Sequence, residues 1–189
     1  MSLAPSKHFI PWYFYTAALL YLAYVATGQG LSVTSVVLLL GFGFLSWGFI
    51  EYLLHRFIFH YDARSRIGRK LVYHAHQSHH ENPEAHSRHL ASLFLSMPVG
   101  AVYWLIAWAA TGSWPAACYL LIGMAAGYLS YQWVHFQCHH RKSRVRLLRY
   151  LRKYHLLHHY KTPELRFGVT SPLFDLVFST FRPVVNRSS

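Results

Sequence analysis

Four long apolar runs constrain the fold of this chain more than any other feature of its sequence. About 20 apolar residues are enough for a helix to cross the ~30 Å hydrocarbon core of a bilayer. Very short connections separate the first run from the second and the third from the fourth. We therefore predict an all-α integral membrane protein with four transmembrane helices, at about residues 11–27, 31–54, 90–110 and 115–134.

The basic residues are segregated from these apolar runs. Of the 18 lysines and arginines, Lys7 precedes the first run, six lie between Arg56 and Arg88, and eleven lie between Arg141 and Arg187. By the positive-inside rule, this distribution places both termini and the middle polar segment in the cytoplasm. It predicts a multi-pass protein of a bacterial inner membrane, or of the endoplasmic reticulum in a eukaryote. Because the charge follows the membrane topology, it does not indicate a nucleic-acid partner.

Length and cysteine content narrow the possibilities further. The 189 residues suffice for about one domain, and we predict a single membrane domain over 1–189. Cys118 and Cys138 are too few and too isolated for a disulfide framework. The small residues of Gly123-x-x-x-Gly127 favour close helix packing, either inside the helical bundle or in a dimer.

Histidine is unusually abundant, with 15 residues in the chain. Residues three or four apart share one face of a helix, which lets neighbouring rings converge. The first pair, His55 and His60, is five residues apart, or about 140° around a regular helix. These two rings therefore reach different metals unless the helix is locally distorted. The remaining groups are His76, His79 and His80; His135 and His139, with His140 beside them; and His155, His158 and His159.

So many clustered imidazoles exceed the four to six ligands, roughly, that one transition metal accepts. They suit two metals, each with five histidines or with four and a bridging ligand. Imidazole binds iron, zinc and copper alike, so the residues alone do not select the metal. With only six acidic residues and no Glu-x-x-His motif, the chain does not fit the soluble carboxylate-rich di-iron bundles. We predict a helical histidine-box metal domain that caps the bundle on its cytoplasmic side.

The series H-x4-H, H-x2-HH, H-x3-H, H-x2-HH resembles the fatty acid hydroxylase superfamily, and within it the fatty acid 2-hydroxylases. The segments EYLLHRFIFH at 51–60 and YHLLHHYKTPELRFGVTSPLFDLVFST at 154–180 carry this likeness. The resemblance implies two iron ions, which zinc can replace in a purified sample. It maps the metal ligands to His55, His60, His76, His79, His80, His135, His139, His155, His158 and His159.

The same resemblance implies a monooxygenase that hydroxylates a lipid acyl chain at C2 with O2 and externally supplied electrons. The length leaves no room for the cytochrome b5 domain that eukaryotic members often carry. The electrons are therefore expected from a separate cytochrome b5, ferredoxin or reductase. Asp175, retained from the family's terminal motif, is a candidate for holding the ligands in place or for a purely structural role.

Two alternative functions stay open at this stage. A desaturase, or a sterol or carotenoid hydroxylase, has the same kind of histidine-rich centre, and only its product distinguishes it. A membrane metal-binding or transport protein also concentrates histidines, but it places ionisable residues along a crossing. The apolar runs contain almost none, apart from Glu51 near the end of the second run, which favours the enzyme.

Overall fold

The computed structural model describes residues 10–83 and 93–184, and these two ranges contain no β-strand. Two π-helical segments accompany the α-helices: π1 (Leu54–Phe59) continues α2 directly, and π2 (Tyr73–Gln77) joins α3 to α4. The predicted all-α class is confirmed. The α-helices are α1 (Ile10–Ala26), α2 (Val33–Leu53), α3 (Arg66–Val72), α4 (Ser78–Glu81), α5 (Leu93–Thr111), α6 (Trp114–His140), α7 (Arg146–Tyr160) and α8 (Leu173–Val177).

Within the described residues, each of the four apolar runs forms a helix, with ends that differ from the predicted ones; the predicted start of the third run, at residue 90, lies outside those residues. The fourth differs most, because α6 continues beyond the predicted end at residue 134 and reaches His140. The last turns of α6 are polar, so the apolar run ends before the helix does. Between α5 and α6, Gly112 has a φ of 63°, a left-handed conformation that glycine adopts at little cost.

One helix in the described ranges is long and apolar enough to cross a membrane by length and composition, namely Val33–Phe59, formed by α2 and π1. Its most apolar window has a mean hydropathy of 2.0, and only 11% of that window is buried inside the protein. Shorter apolar helical stretches occupy Tyr15–Ala26 and Ser96–Thr111. The structure thus supplies one clear membrane-spanning candidate, and the four-crossing topology stays a prediction.

The chain divides into two compact units, of which the first comprises residues 1–47 and 90–129. Its described part holds α1, α5 and the larger portions of α2 and α6. Small buried side chains dominate its core, and partly buried aromatic and aliphatic residues surround them. Two clusters of this core contain Ala26, Ala107, Ala117, Cys118, Tyr119 and Leu120. The single-domain organisation over 1–189 stays a prediction.

Glycines let α2 and α6 approach each other backbone to backbone within this unit. A Cβ atom added to Gly123 would lie 2.2 Å from the carbonyl oxygen of Leu40. A Cβ atom on Gly127 would lie 2.8 Å from the carbonyl oxygen of Phe44. The Gly123-x-x-x-Gly127 motif therefore packs α6 against α2 inside the chain, which is one of the two roles that the sequence left open.

Substituting Gly123→Ala is expected to lower the free energy of unfolding by about 1–3 kcal/mol, the usual cost of overpacking. The added methyl group overlaps the Leu40 carbonyl, which cannot move without separating the two helices. Thermal unfolding in detergent measures the effect. Gly41→Ala is the matched control, because a Cβ atom there meets nothing within 4 Å. Equal losses of stability in the two variants would contradict this account of the packing.

The second unit comprises residues 48–89 and 130–189. Its described part contains π1, α3, π2, α4, the end of α6, α7 and α8. Aromatic and aliphatic side chains, among them Tyr52, Tyr154, Phe167 and Val169, form its buried interior. Buried polar residues are unusually frequent in the same interior: Glu51, His55, His76, His79, Gln132, His135, His155, His158, Arg166, Asp175 and Thr180.

Candidate metal centre

All ten histidines to which the resemblance assigned metal ligation lie in the second unit, where they form two clusters of five. Within each cluster, the candidate ligand nitrogens all lie within 4.8 Å of one another. His74 and His140 belong to neither cluster. Cluster A consists of His55, His60, His76, His80 and His158, and cluster B of His79, His135, His139, His155 and His159.

The first histidine pair reaches a single cluster because its helix is distorted. Residues Leu54–Phe59 form the π-helix π1, in which backbone hydrogen bonds link residues five apart instead of four. His55 and His60 therefore return to the same side of the helix, with ring centroids 5.1 Å apart. The sequence left two possibilities for this pair, and the structure has the local distortion.

The two HxxHH motifs divide their histidines between the clusters. In the first motif, the outer residues His76 and His80 belong to cluster A, and the middle residue, His79, belongs to cluster B. The second motif has the opposite arrangement, since its outer residues belong to cluster B and its middle residue, His158, to cluster A. Neither cluster is complete without both motifs. The sequence predicted that the rings converge, but it did not predict this exchange.

The ring nitrogens of each cluster point toward one another at short range. In cluster A, the Nε2 atoms are 3.0 Å apart for His55–His76 and His76–His80, and 3.1 Å apart for His60–His158. In cluster B, they are 3.0 Å apart for His79–His135 and His155–His159, and 2.9 Å apart for His139–His155. Unprotonated nitrogens at this range repel one another unless a proton or a cation lies between them.

These separations fit a metal ion inside each cluster. With metal–imidazole bonds of about 2.1 Å, right angles at the metal put neighbouring nitrogens about 3.0 Å apart, whereas tetrahedral angles put them about 3.4 Å apart. Each cluster offers five imidazole nitrogens within 4.8 Å of one another, which is enough to surround one metal ion. The clusters can therefore hold metal ions, and their imidazole donors suit iron, zinc and copper.

Backbone carbonyl groups orient two rings of cluster A. The Nδ1 atom of His55 lies 2.5 Å from the carbonyl oxygen of Phe167, and that of His158 lies 2.7 Å from the carbonyl oxygen of Leu165. Only a protonated nitrogen can bond to a carbonyl oxygen, so each ring donates through Nδ1. The Nε2 atom of each ring then presents its lone pair to the cluster, which is the arrangement that a metal ligand needs.

The buried carboxylate of Asp175 holds the segment that supplies these carbonyl groups. Its two oxygens each accept a 2.8 Å hydrogen bond, one from the backbone N–H of Phe167 and one from that of Gly168. The hydroxyl of Thr180 donates a third bond, of 2.6 Å. No side chain fits at Gly168, since a Cβ atom there would lie 2.1 Å from the Ser171 carbonyl oxygen. Asp175 thus acts on the histidines through the backbone.

A second buried carboxylate, that of Glu51 near the end of α2, holds the next residues of the same segment. It accepts hydrogen bonds from the backbone N–H groups of Val169, at 2.6 Å, and Thr170, at 3.0 Å. The Thr170 hydroxyl donates to its other oxygen at 2.6 Å. The sequence identified Glu51 only as an isolated acid near the end of an apolar run. Such a position indicates a functional role, but the sequence did not predict that Glu51 binds the backbone of a distant segment.

Burial keeps the rings in their neutral form. It lowers the pKa of His60 and His80 to about 4. Burial, together with the neighbouring imidazoles, holds the pKa of His155 and His158 well below the ordinary value of 6.5. At neutral pH these rings are therefore unprotonated, which is the form of histidine that binds metal ions.

Residues 40–180, a range that contains both clusters, match the family model described as fatty acid hydroxylase. The match covers well over half of the chain. The chain belongs to the fatty acid hydroxylase family. Membership confirms the resemblance seen in the histidine motifs, and with it the predicted enzyme class, a hydroxylating oxidoreductase.

Curated relatives of this fatty acid hydroxylase come from plants, fungi and mammals. The dihydroceramide fatty acyl 2-hydroxylase FAH2 of Arabidopsis thaliana is 34% identical over 164 residues, which cover 85% of this chain and 67% of that protein. The ceramide very long chain fatty acid hydroxylase SCS7 of Saccharomyces cerevisiae is 37% identical over 142 residues, which cover 74% of this chain and 36% of that protein. The chain thus spans only part of the length of these relatives.

A solved structure has the same fold as this fatty acid hydroxylase. It is that of full-length scs7p, in which only the hydroxylase domain is visible. The two structures have a TM-score of 0.85 at 31% sequence identity, over 93% of this chain and 67% of the other. The all-helical fold is therefore shared with a hydroxylase domain over nearly the whole chain.

Proposed function

We propose that this protein inserts one oxygen atom of O2 into a C–H bond of a lipid acyl chain, at C2. The observation that carries the proposal is the pair of five-histidine clusters in a member of the fatty acid hydroxylase family. Relatives named as fatty acyl 2-hydroxylases support the position of attack. In the balanced reaction, the acyl chain, O2, two electrons and two protons give the hydroxylated chain and one water.

The cofactor in this proposal is a pair of iron ions, one in each cluster, with zinc able to take their place in a purified sample. Bound iron supplies the capacity to bind O2 and to reduce it with the incoming electrons. The chain itself fixes the donor atoms and keeps them neutral. The carbonyl groups of Leu165 and Phe167 orient His158 and His55, and burial removes competing water from the rings. The ten histidines of clusters A and B are the proposed ligands.

We further propose a multi-pass membrane location, with the termini and both clusters on the cytoplasmic side. The apolar helix Val33–Phe59 and the segregation of basic residues from the apolar runs support it. In this arrangement, the acyl substrate reaches the enzyme from within the bilayer. A separate electron donor, of the cytochrome b5, ferredoxin or reductase type, then meets the protein from the aqueous side.

Lipid mass spectrometry on cells that express the protein tests this function. We expect 2-hydroxyacyl lipids in cells with the unaltered protein and none with the double substitution His158→Ala and His159→Ala, which removes one ring from each cluster. His74→Ala, outside both clusters, is the control and should keep the product. Acyl chains that lose two hydrogens without gaining oxygen would instead indicate a desaturase. No change in any lipid, given a working reductase, would favour a metal-binding or transport protein.

A further inference from the structure

A cleft rich in cations lies along α7, and its lining contains none of the ten histidines. Its volume is about 590 Å³, and two leucines, Leu156 and Leu157, contribute apolar surface to it. No aspartate or glutamate lines it among the residues that the structure describes. We call it the basic cleft. Its cations are Lys142, Arg149, Arg152, Lys153 and Lys161.

Helix α7 carries the basic cleft and part of the metal centre on different sides. Its residues His155, His158 and His159 turn toward the clusters, whereas Arg149 and Lys153 line the cleft. At 3.6 residues per turn, Arg149 and Lys153 point roughly 140° away from the mean direction of the histidines, whereas Arg152, at the edge of the cleft, points within about 60° of His155. Because a helix with its side chains is about 10 Å across, an object held by Arg149 and Lys153 lies about one helix diameter from the ligands.

This position suits the delivery of electrons and does not suit the binding of the substrate. A substrate must bring its C–H bond to the metal centre, and a molecule on the far side of α7 cannot do so. An electron, by contrast, can cross a packed helix without contact between donor and metal. The cleft is open to solvent, so its cations are accessible to a protein that docks on this side of α7.

We propose that the basic cleft is the docking site for the separate electron donor, a small redox protein with acidic side chains around its redox group. This inference rests on the proposed function, because a monooxygenase consumes two external electrons in each turnover, whereas a metal-binding or transport protein consumes none. The complex is expected to be small and weak, as electron-transfer encounters are. Charge complementarity would speed its formation and make it sensitive to salt.

Charge reversal at the rim of the cleft tests the proposal. The cleft variant combines Lys142→Glu, Arg149→Glu and Lys161→Glu, at three exposed positions. The control variant combines Arg64→Glu, Arg66→Glu and Lys70→Glu, which are also exposed and change the net charge equally. Both are compared with the unaltered full chain in nanodiscs of neutral phosphatidylcholine. The probes are two acidic one-electron donors, the soluble haem domain of cytochrome b5 and a [2Fe–2S] ferredoxin.

Binding is measured first, since it does not depend on the enzymatic reaction. At low salt we expect the unaltered protein and the control variant to bind at least one probe, and the cleft variant to bind it about tenfold more weakly or worse. High salt should remove most of the difference. Equal binding by the two variants, or no binding of either probe to the unaltered protein, would overturn the proposal.

Turnover then separates the docking site from the function itself. With a small chemical reductant, the cleft variant should hydroxylate as fast as the unaltered protein, whereas with the protein donor its KM for that donor should rise about tenfold. If the unaltered protein forms no product with either reductant, the proposed function fails, and the binding result still decides the docking site. If the cleft variant loses affinity for phosphatidylglycerol vesicles but not for the donor, the cleft is a membrane contact and the proposal is wrong.

Discussion

Substituting His158→Ala is expected to abolish hydroxylation and to remove one metal ion per chain, the ion of cluster A. The other two histidines of the same motif, His155 and His159, belong to cluster B. The metal ion of cluster B should therefore be retained. His158 is fully buried, and no water molecule can readily replace its ring in the same position. Loss of a group that only supports a metal ligand lowers metal affinity or activity by about 10–100-fold. Loss of the ligand itself should therefore lower the activity by at least about 100-fold.

Pairs of substitutions test which cluster loses its metal. Adding His76→Ala to His158→Ala should remove no further metal, because both rings belong to cluster A. Adding His155→Ala should remove the second ion, because that ring belongs to cluster B. Elemental analysis by mass spectrometry of purified protein, normalised to protein content, gives the number of ions. The reverse pattern would show that each HxxHH motif serves a single metal and would refute the exchange between motifs.

Substituting Asp175→Ala is expected to have the second largest effect, a loss of about 2–6 kcal/mol in the free energy of unfolding, because two buried backbone N–H groups are left unsatisfied at about 1–3 kcal/mol each. The backbone N–H groups of Phe167 and Gly168 lose their buried acceptor, and the segment that orients His55 and His158 becomes free to move. Asp175→Asn keeps the shape and one acceptor, so its loss of stability should be smaller. Thermal unfolding measures both variants, with exposed Asp62→Asn as the control.

A positioning role for Asp175 also predicts a selective effect on metal retention. With Asp175→Asn, a chelator should remove one metal ion faster than from the unaltered protein and release the other at the unaltered rate. The ion that the chelator removes faster should be missing from the double variant Asp175→Asn with His158→Ala, because both substitutions act on cluster A. If both ions leave faster to the same degree, Asp175 stabilises the fold without positioning the ligands.

Local sequence patterns were sufficient to predict the four apolar helices and the gathering of the histidines. Apolar runs define α1, α2, α5 and α6 because each helix satisfies its own backbone hydrogen bonds, whatever surrounds it. Spacings of three and four residues likewise bring rings to one face of a helix. Both patterns depend on residues close together in the chain, so they can be recognised without any knowledge of tertiary contacts.

The remaining features depend on contacts between distant parts of the chain. His55 bonds to the carbonyl group of Phe167, 112 residues away, and Glu51 bonds to the amide of Val169, 118 residues away. No local pattern specifies such partners. The π-helix at Leu54–Phe59 was foreseen only as one of two possibilities, because its five-residue histidine spacing fits a regular helix poorly. The exchange of His79 and His158 between clusters likewise requires the packed structure.

One measurement tests the central claim most directly, that the two histidine clusters serve to insert oxygen into an acyl chain. Iron-loaded protein in nanodiscs is reduced chemically, supplied with a lipid acyl substrate and exposed to O2 labelled with the heavy isotope of oxygen. The account predicts a 2-hydroxyacyl product that contains one labelled oxygen atom and is absent from the variant His158→Ala with His159→Ala. A product that lacks the label, or an acyl chain that has lost two hydrogens without gaining oxygen, would contradict it.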